Sequence, residues 1–229
     1  IESPTWNGAV DELIAIGRPA ARQLIAHVPA AYYIGENLRE HRQEIEKIRV
    51  GCGRALAVIK PRAASAALVA IITEAFTNAE RLAGYNAVGE IGFEQATADA
   101  LTKVVEMANT AAVFKTSLGG KEKADPTIRL RAIAALLKMG EDAFAEEISD
   151  AVKGDDPVLA EAALSELSTA GHYGVPLLMR LLNESSAHKD RLEQIVDQVK
   201  RLLIKGLDDE DPQIRALSAR ALGKIGDRE

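Results

Sequence analysis

Apolar and small residues recur along this chain at helical spacing, in a pattern that returns several times. In Asp211–Gly226, DPQIRALSARALGKIG, the residues Ile214, Ser218, Ala221, Leu222 and Ile225 share one face. Asp211 is placed to accept from the free amides of the first turn. Pro212 suits the first helical position, where no amide proton is needed, and Gly226 marks a stop. The pattern predicts one short amphipathic helix with a defined start, face and end.

The same offsets appear elsewhere. Asp125–Gly140, DPTIRLRAIAALLKMG, keeps the Asp-Pro start, the isoleucine, the arginine, the leucine and the closing glycine. Asp156–Gly171, DPVLAEAALSELSTAG, keeps the cap, proline, leucine and glycine but has Ala160 in the arginine's place. Ile45–Lys60 loses the Asp-Pro start yet keeps Ile48, Arg49, Leu56 and Ile59, and Thr77–Gly92 keeps Arg81, Ala87, Val88, Ile91 and Gly92. Glu2–Gly17 is a fainter copy that ends LIAIG.

After each of the first five copies comes a second amphipathic segment: Arg18–Val28, Pro61–Thr73, Phe93–Ala108, Glu141–Val152 and His172–Asn183. The predicted unit is therefore helix, tight turn, helix. Neither helix buries its face alone, so neighbouring units must stack. Copies start at 2, 45, 77, 125, 156 and 211, giving steps of 43, 32, 48, 31 and 55. The three longer steps hold insertions at Tyr32–Glu44, at Thr110–Ala124 and at Asn183–Asp190, the last followed by an extra helix, Arg191–Leu207. Loops after second helices emerge on one edge of such a stack, which makes them candidate recognition elements.

The D-P-x-I-R opening and A-L-x-x-I-G close of Asp211–Gly226, with the matching register of Asp125–Gly140, resemble HEAT repeats, in particular the short type named after the phycobilisome lyases. The resemblance covers nearly the whole chain. It implies an all-α fold: a right-handed α-solenoid of about five to six stacked antiparallel helical pairs, one array over 1–229. It also implies a hydrogen-bonded ladder between stacked units, built here from Arg49, Arg81, Arg129 and Arg215 with Asp125, Asp156 and Asp211. Arginine in a helix's first turn is poorly placed against the macrodipole, so a nearby carboxylate accounts for its recurrence. Ala160 interrupts the series. Repeats of this kind serve as scaffolds, adaptors, lyase subunits and occasionally enzymes, so the resemblance speaks for fold more than for role.

Composition agrees with closely packed short helices rather than a β-sandwich: 47% of residues are hydrophobic but only 4% aromatic. A net charge of -6 argues against a general phosphate-backbone binder, so nucleic acid is a disfavoured partner. The single cysteine excludes an internal disulfide framework and a multi-cysteine metal site. No apolar run approaches the roughly 20 residues of a membrane helix, Ala63–Ile72 being the longest candidate. The chain opens on isoleucine and closes three residues after a helix stop, which reads as a fragment of a longer protein. An apolar face left uncovered near Glu229 would favour end-to-end self-association. A soluble chain, cytoplasmic rather than secreted, is expected.

Catalytic signals are thin. His27, His41, His172 and His188 are scattered, with no H-E-x-x-H spacing and no His-Glu dipeptide of the kind used by the repeat-built iron hydroxylases. Cys52 falls at the offset held by Ala132, Ala163 and Ser218 and reads as a small packing residue. Gly51-Cys52-Gly53 lies inside a predicted helix and reads as a close helix contact. Gly119-Gly120-Lys121 lacks P-loop spacing and reads as a loop. The sequence therefore points to no catalytic residue, no metal and no cofactor.

A protein or peptide partner is expected instead. Its candidate contacts are an acidic stripe on the second helices, Asp99, Glu106, Glu146 and Asp150, and the aromatic pair Tyr32 and Tyr33 in the first insertion. Trp6 reads as a cap on the first repeat. The alternatives are a bilin lyase-like or other enzyme-associated subunit, and a nucleic-acid-binding HEAT-like protein.

Overall fold

A computed structural model describes residues 4–27, 42–75, 77–91, 98–99, 101–102, 105–106, 113–115, 121–123, 126–184 and 188–226. The eleven α-helices that lie among them are α1 (Pro4–Ile16), α2 (Arg18–His27), α3 (Arg42–Ile59), α4 (Ser65–Glu74), α5 (Asn78–Ile91), α6 (Pro126–Lys138), α7 (Ala145–Lys153), α8 (Pro157–Thr169), α9 (Gly171–Glu184), α10 (Lys189–Gly206) and α11 (Pro212–Gly226). The residues described between 98 and 106 are helical as well. All six template copies are thus helices, each within a few residues of its expected bounds.

One expectation needs correction. The Thr110–Ala124 insertion is not loop alone: β1 (Val113–Lys115) pairs antiparallel with β2 (Lys121–Lys123), with Val113 opposite Lys123 and Phe114 opposite Glu122. Val113 and Phe114 favour extended backbone, whereas Lys121-Glu122-Lys123 has no such preference and follows β1 by pairing. Gly119 and Gly120 lie outside the described residues. The chain is predominantly helical rather than purely so.

Contacts group the chain into two compact units, Ile1–Ala135 and Leu136–Glu229. In the first, α3 packs against α1, α2 and α5, and α5 against α4. In the second, α8 packs against α7, α9 and α10, and α9 and α10 both pack against α11. Helices therefore meet mainly those one or two places away in the chain. The extra helix α10 rests on α8 and α9 much as α3 rests on α1 and α2. It also packs against α11, which reaches back to α9.

The core follows the repeat register. The offset of Cys52 is also that of Gly84, Ala132, Ala163 and Ser218, and all five are buried. The leucine offset is buried in four of the copies: Leu56, Val88, Leu136 and Leu167 are each 1% exposed or less. Each such side chain contributes roughly 1.5–3 kcal/mol relative to exposure. Small residues at the Cys52 offset and beside it let helix backbones approach. At Gly53 an added Cβ would lie 3.0 Å from the Ala83 Cβ and 3.2 Å from its carbonyl carbon, so α3 and α5 touch there as expected.

The closing offset sets the turns. Gly17, Gly140 and Gly171 all take positive φ, and where the glycine is missing Lys60 adopts φ 53° in its stead. At Gly140, φ 90°, the turn is a Schellman motif: Glu141 N donates to Leu136 O at 3.0 Å and Gly140 N to Leu137 O at 2.9 Å. At the other end of the chain, α11 runs through Gly226 without a left-handed residue.

Candidate interaction surface

The arginine offset begins with a buried ion pair. Arg49 of α3 donates through Nη1 to Glu80 Oε2 of α5 at 3.0 Å, and the two side chains are 1% and 0% exposed. Glu80 was not singled out in the sequence, although it stands where α6 and α11 carry Ile128 and Ile214. A carboxylate at an offset that is apolar in α3, α6, α8 and α11 (Ile48, Ile128, Leu159, Ile214) is the signal. Arg81 is buried too and donates to Asn78 Oδ1 at 3.1 Å and to the Ala75 carbonyl at 3.4 Å. Arg129 donates to the Val105 carbonyl. Arg215, exposed, reaches the carbonyls of Asp209 and Glu210 at 2.8 and 3.0 Å.

The aspartates serve their own helices. Asp156 accepts from the amides of Val158 and Leu159 at 2.9 and 3.2 Å, and Asp211 from Gln213 N at 2.8 Å. These are N-caps, which satisfy amides that no helical carbonyl reaches. Asp125 lies outside the described residues.

The exposed ion pairs step along the chain by about one repeat. Asp11 of α1 pairs with Arg54 of α3 at 3.5 Å, and Lys60, the residue after α3, with Glu90 of α5 at 2.8 Å. In the second unit Glu161 of α8 pairs with Arg191 of α10 at 2.9 Å, while α7 and α9 are joined by Glu146–Arg180 and Lys153–Glu184, both at 2.6 Å. Apart from Asp11–Arg54, these partners are 30 to 34 residues apart.

Glu146 and Asp150 stand one turn apart on α7 and are exposed, so the structure places both on one helix face of the second unit. Glu146 is engaged. Its hydrogen bond pushes the Arg180 guanidinium further toward the charged form, and the Lys153 hydrogen bond holds the Glu184 carboxyl below its usual range. Asp150 has no ion-pair partner among the described residues. Asp99 and Glu106 are exposed helical residues of the first unit. Tyr32 and Tyr33 lie outside the described residues.

Groups with chemistry elsewhere are held inert or apart. Burial raises the Cys52 thiol to about 11, so it stays protonated at neutral pH. Burial likewise raises Tyr85 to about 12, against a smaller opposing pull from the Arg81 charge. Among the described residues no three His, Cys, Asp or Glu side chains gather in a way that would hold a metal ion, and no helix is long and apolar enough to cross a membrane. No protein-family model matches the chain, and no curated protein matches it in sequence.

Proposed function

We propose that the chain is a HEAT-like stack of helical pairs that works as a non-catalytic scaffold, holding a protein or peptide partner on its second-helix surface. The observation that carries this reading is the stepping of ion pairs between next-but-one helices at separations of 30 to 34 residues, close to the compact repeat steps of 31 and 32. Like side chains of successive units then lie in rows. Such rows make long, regular faces, and shape and charge complementarity along a face is how a helical stack recognises its partner.

Within the second unit the α7 face is the part to test first. Its ion pairs fix side-chain positions in advance, which lowers the entropy lost on docking, and Asp150 remains open for a basic group. Capture from the source extract, with the parent protein beside Glu146→Lys/Asp150→Lys, tests the reading. A protein retained by the parent and lost by the variant, with circular dichroism unchanged, is the expected result. Retention of pigment or nucleic acid instead, or equal retention by both, overturns it.

A further inference from the structure

A cavity of about 210 Å³ opens in the second unit, lined by Leu137 and Gly140 at the end of α6, Asp142, His172, Tyr173 and Pro176 of α9, and Arg220 and Lys224 among the residues of α11. Known small-molecule pockets begin near 300 Å³, so this one suits a single polar group and a few waters rather than a whole cofactor. Its walls carry two cations and one carboxylate. Arg220 and Lys224 sit one turn apart on α11, both exposed, and neither has an ion-pair partner among the described residues.

The remaining polar wall is uncharged. His172 packs its ring on Tyr173, centroids 4.2 Å apart, and its Nε2 meets no hydrogen-bond partner. Tyr173 is held by Gly140, whose left-handed turn leaves no room for a side chain: a Cβ there would lie 3.1 Å from the ring. A planar guanidinium fork beside a mobile ammonium offers directed donors and a second positive charge. That combination matches a group with two negative charges and three acceptor oxygens better than a singly charged carboxylate.

We propose that this cavity binds the phosphoryl group of a phosphate monoester, with Arg220 and Lys224 as its charge partners and Tyr173 as a neutral hydroxyl donor. Asp142, the one acidic wall, is positioned to accept from a hydrogen-bond donor next to the ester. The inference does not rest on the scaffold reading, because a free phosphate ester and a phosphorylated side chain present the same group.

The test is an NMR titration at constant ionic strength, following the His172 ring proton, which is assigned by its loss in His172→Gln. The probes are inorganic phosphate, a phosphoserine peptide and the same peptide without phosphate. Expected is a saturable shift confined to His172 with the first two probes and none with the third. Arg220→Gln and Lys224→Gln each weaken binding about tenfold, the loss of one charge-assisted hydrogen bond. A tighter phosphopeptide assigns the source to a protein, and equal affinities assign it to a small phosphate ester. Equal shifts at other histidines, or full binding by a folded Arg220→Gln/Lys224→Gln variant, overturn the proposal.

Discussion

The α3–α5 contact of the first unit and the α8–α10 contact of the second join helices two places apart, yet they are built from different physics. Between α3 and α5 the arginine offset is buried as Arg49 and answered by buried Glu80. Between α8 and α10 that offset is Ala160, 1% exposed, and the bridge has moved one residue along to the exposed pair Glu161–Arg191. Register in the second case follows from apolar and small residues alone. In the first case a charge inside the contact must find its counter-charge, so only one alignment of the helices is tolerable.

That difference sets the scale of what substitution should do. Glu80→Ala removes the carboxylate 3.0 Å from the buried Arg49 guanidinium and is expected to cost about 3–5 kcal/mol, read as a fall in the urea midpoint. Replacing both partners, Arg49→Met with Glu80→Leu, should recover most of that loss, since a buried pair exchanged for packed apolar groups is often neutral or better. A cost under 1 kcal/mol for the single change would show that water reaches the pair and that the two contacts are alike after all.

Next in size is Gly140→Ala, which forces an L residue to φ 90° and against the Tyr173 ring. About 1–3 kcal/mol should be lost. His172 gives a pH signature instead of a fixed cost. Burial lowers its pKa below the ordinary 6.5, so the neutral ring is the folded form. The stability this confers is full above 6.5 and is lost as pH falls from there toward the lowered value. His172→Gln should flatten that part of the pH–stability curve, and an unchanged curve would show that another group titrates there.

The smallest effect belongs to the second contact. Glu161→Ala should change stability by less than about 1 kcal/mol, and added salt should shrink even that. A larger loss would mean that the exposed pair does for α8–α10 what the buried pair does for α3–α5.

The helices were legible in the sequence because start, face and stop are local signals: Asp156 and Asp211 cap, the small and leucine offsets bury, and glycine closes. Lys60 shows how firmly the last is set, taking the left-handed turn without the residue that suits it. What escaped was non-local. Glu80 is visible as an oddity at a mostly apolar offset, but only the fold puts Arg49 beside it. The cavity walls come from three helices, with His172 and Lys224 more than fifty residues apart in a chain whose histidines looked merely scattered. The contacts of the extra helix were non-local too: its motif-free sequence predicts a helix, but only the fold puts α10 against α8, α9 and α11.

Cys52 gives the first unit a built-in clock. It is the chain's one thiol, it lies on α3 within three residues of Arg49, and while the protein is closed it is both buried and protonated. An alkylating reagent at neutral pH can therefore mark it only during moments when α3 is laid open. The labelling rate then reports how much of the time α3 is open, and at high reagent concentration how often it opens, with no competing sulfhydryl to blur the reading.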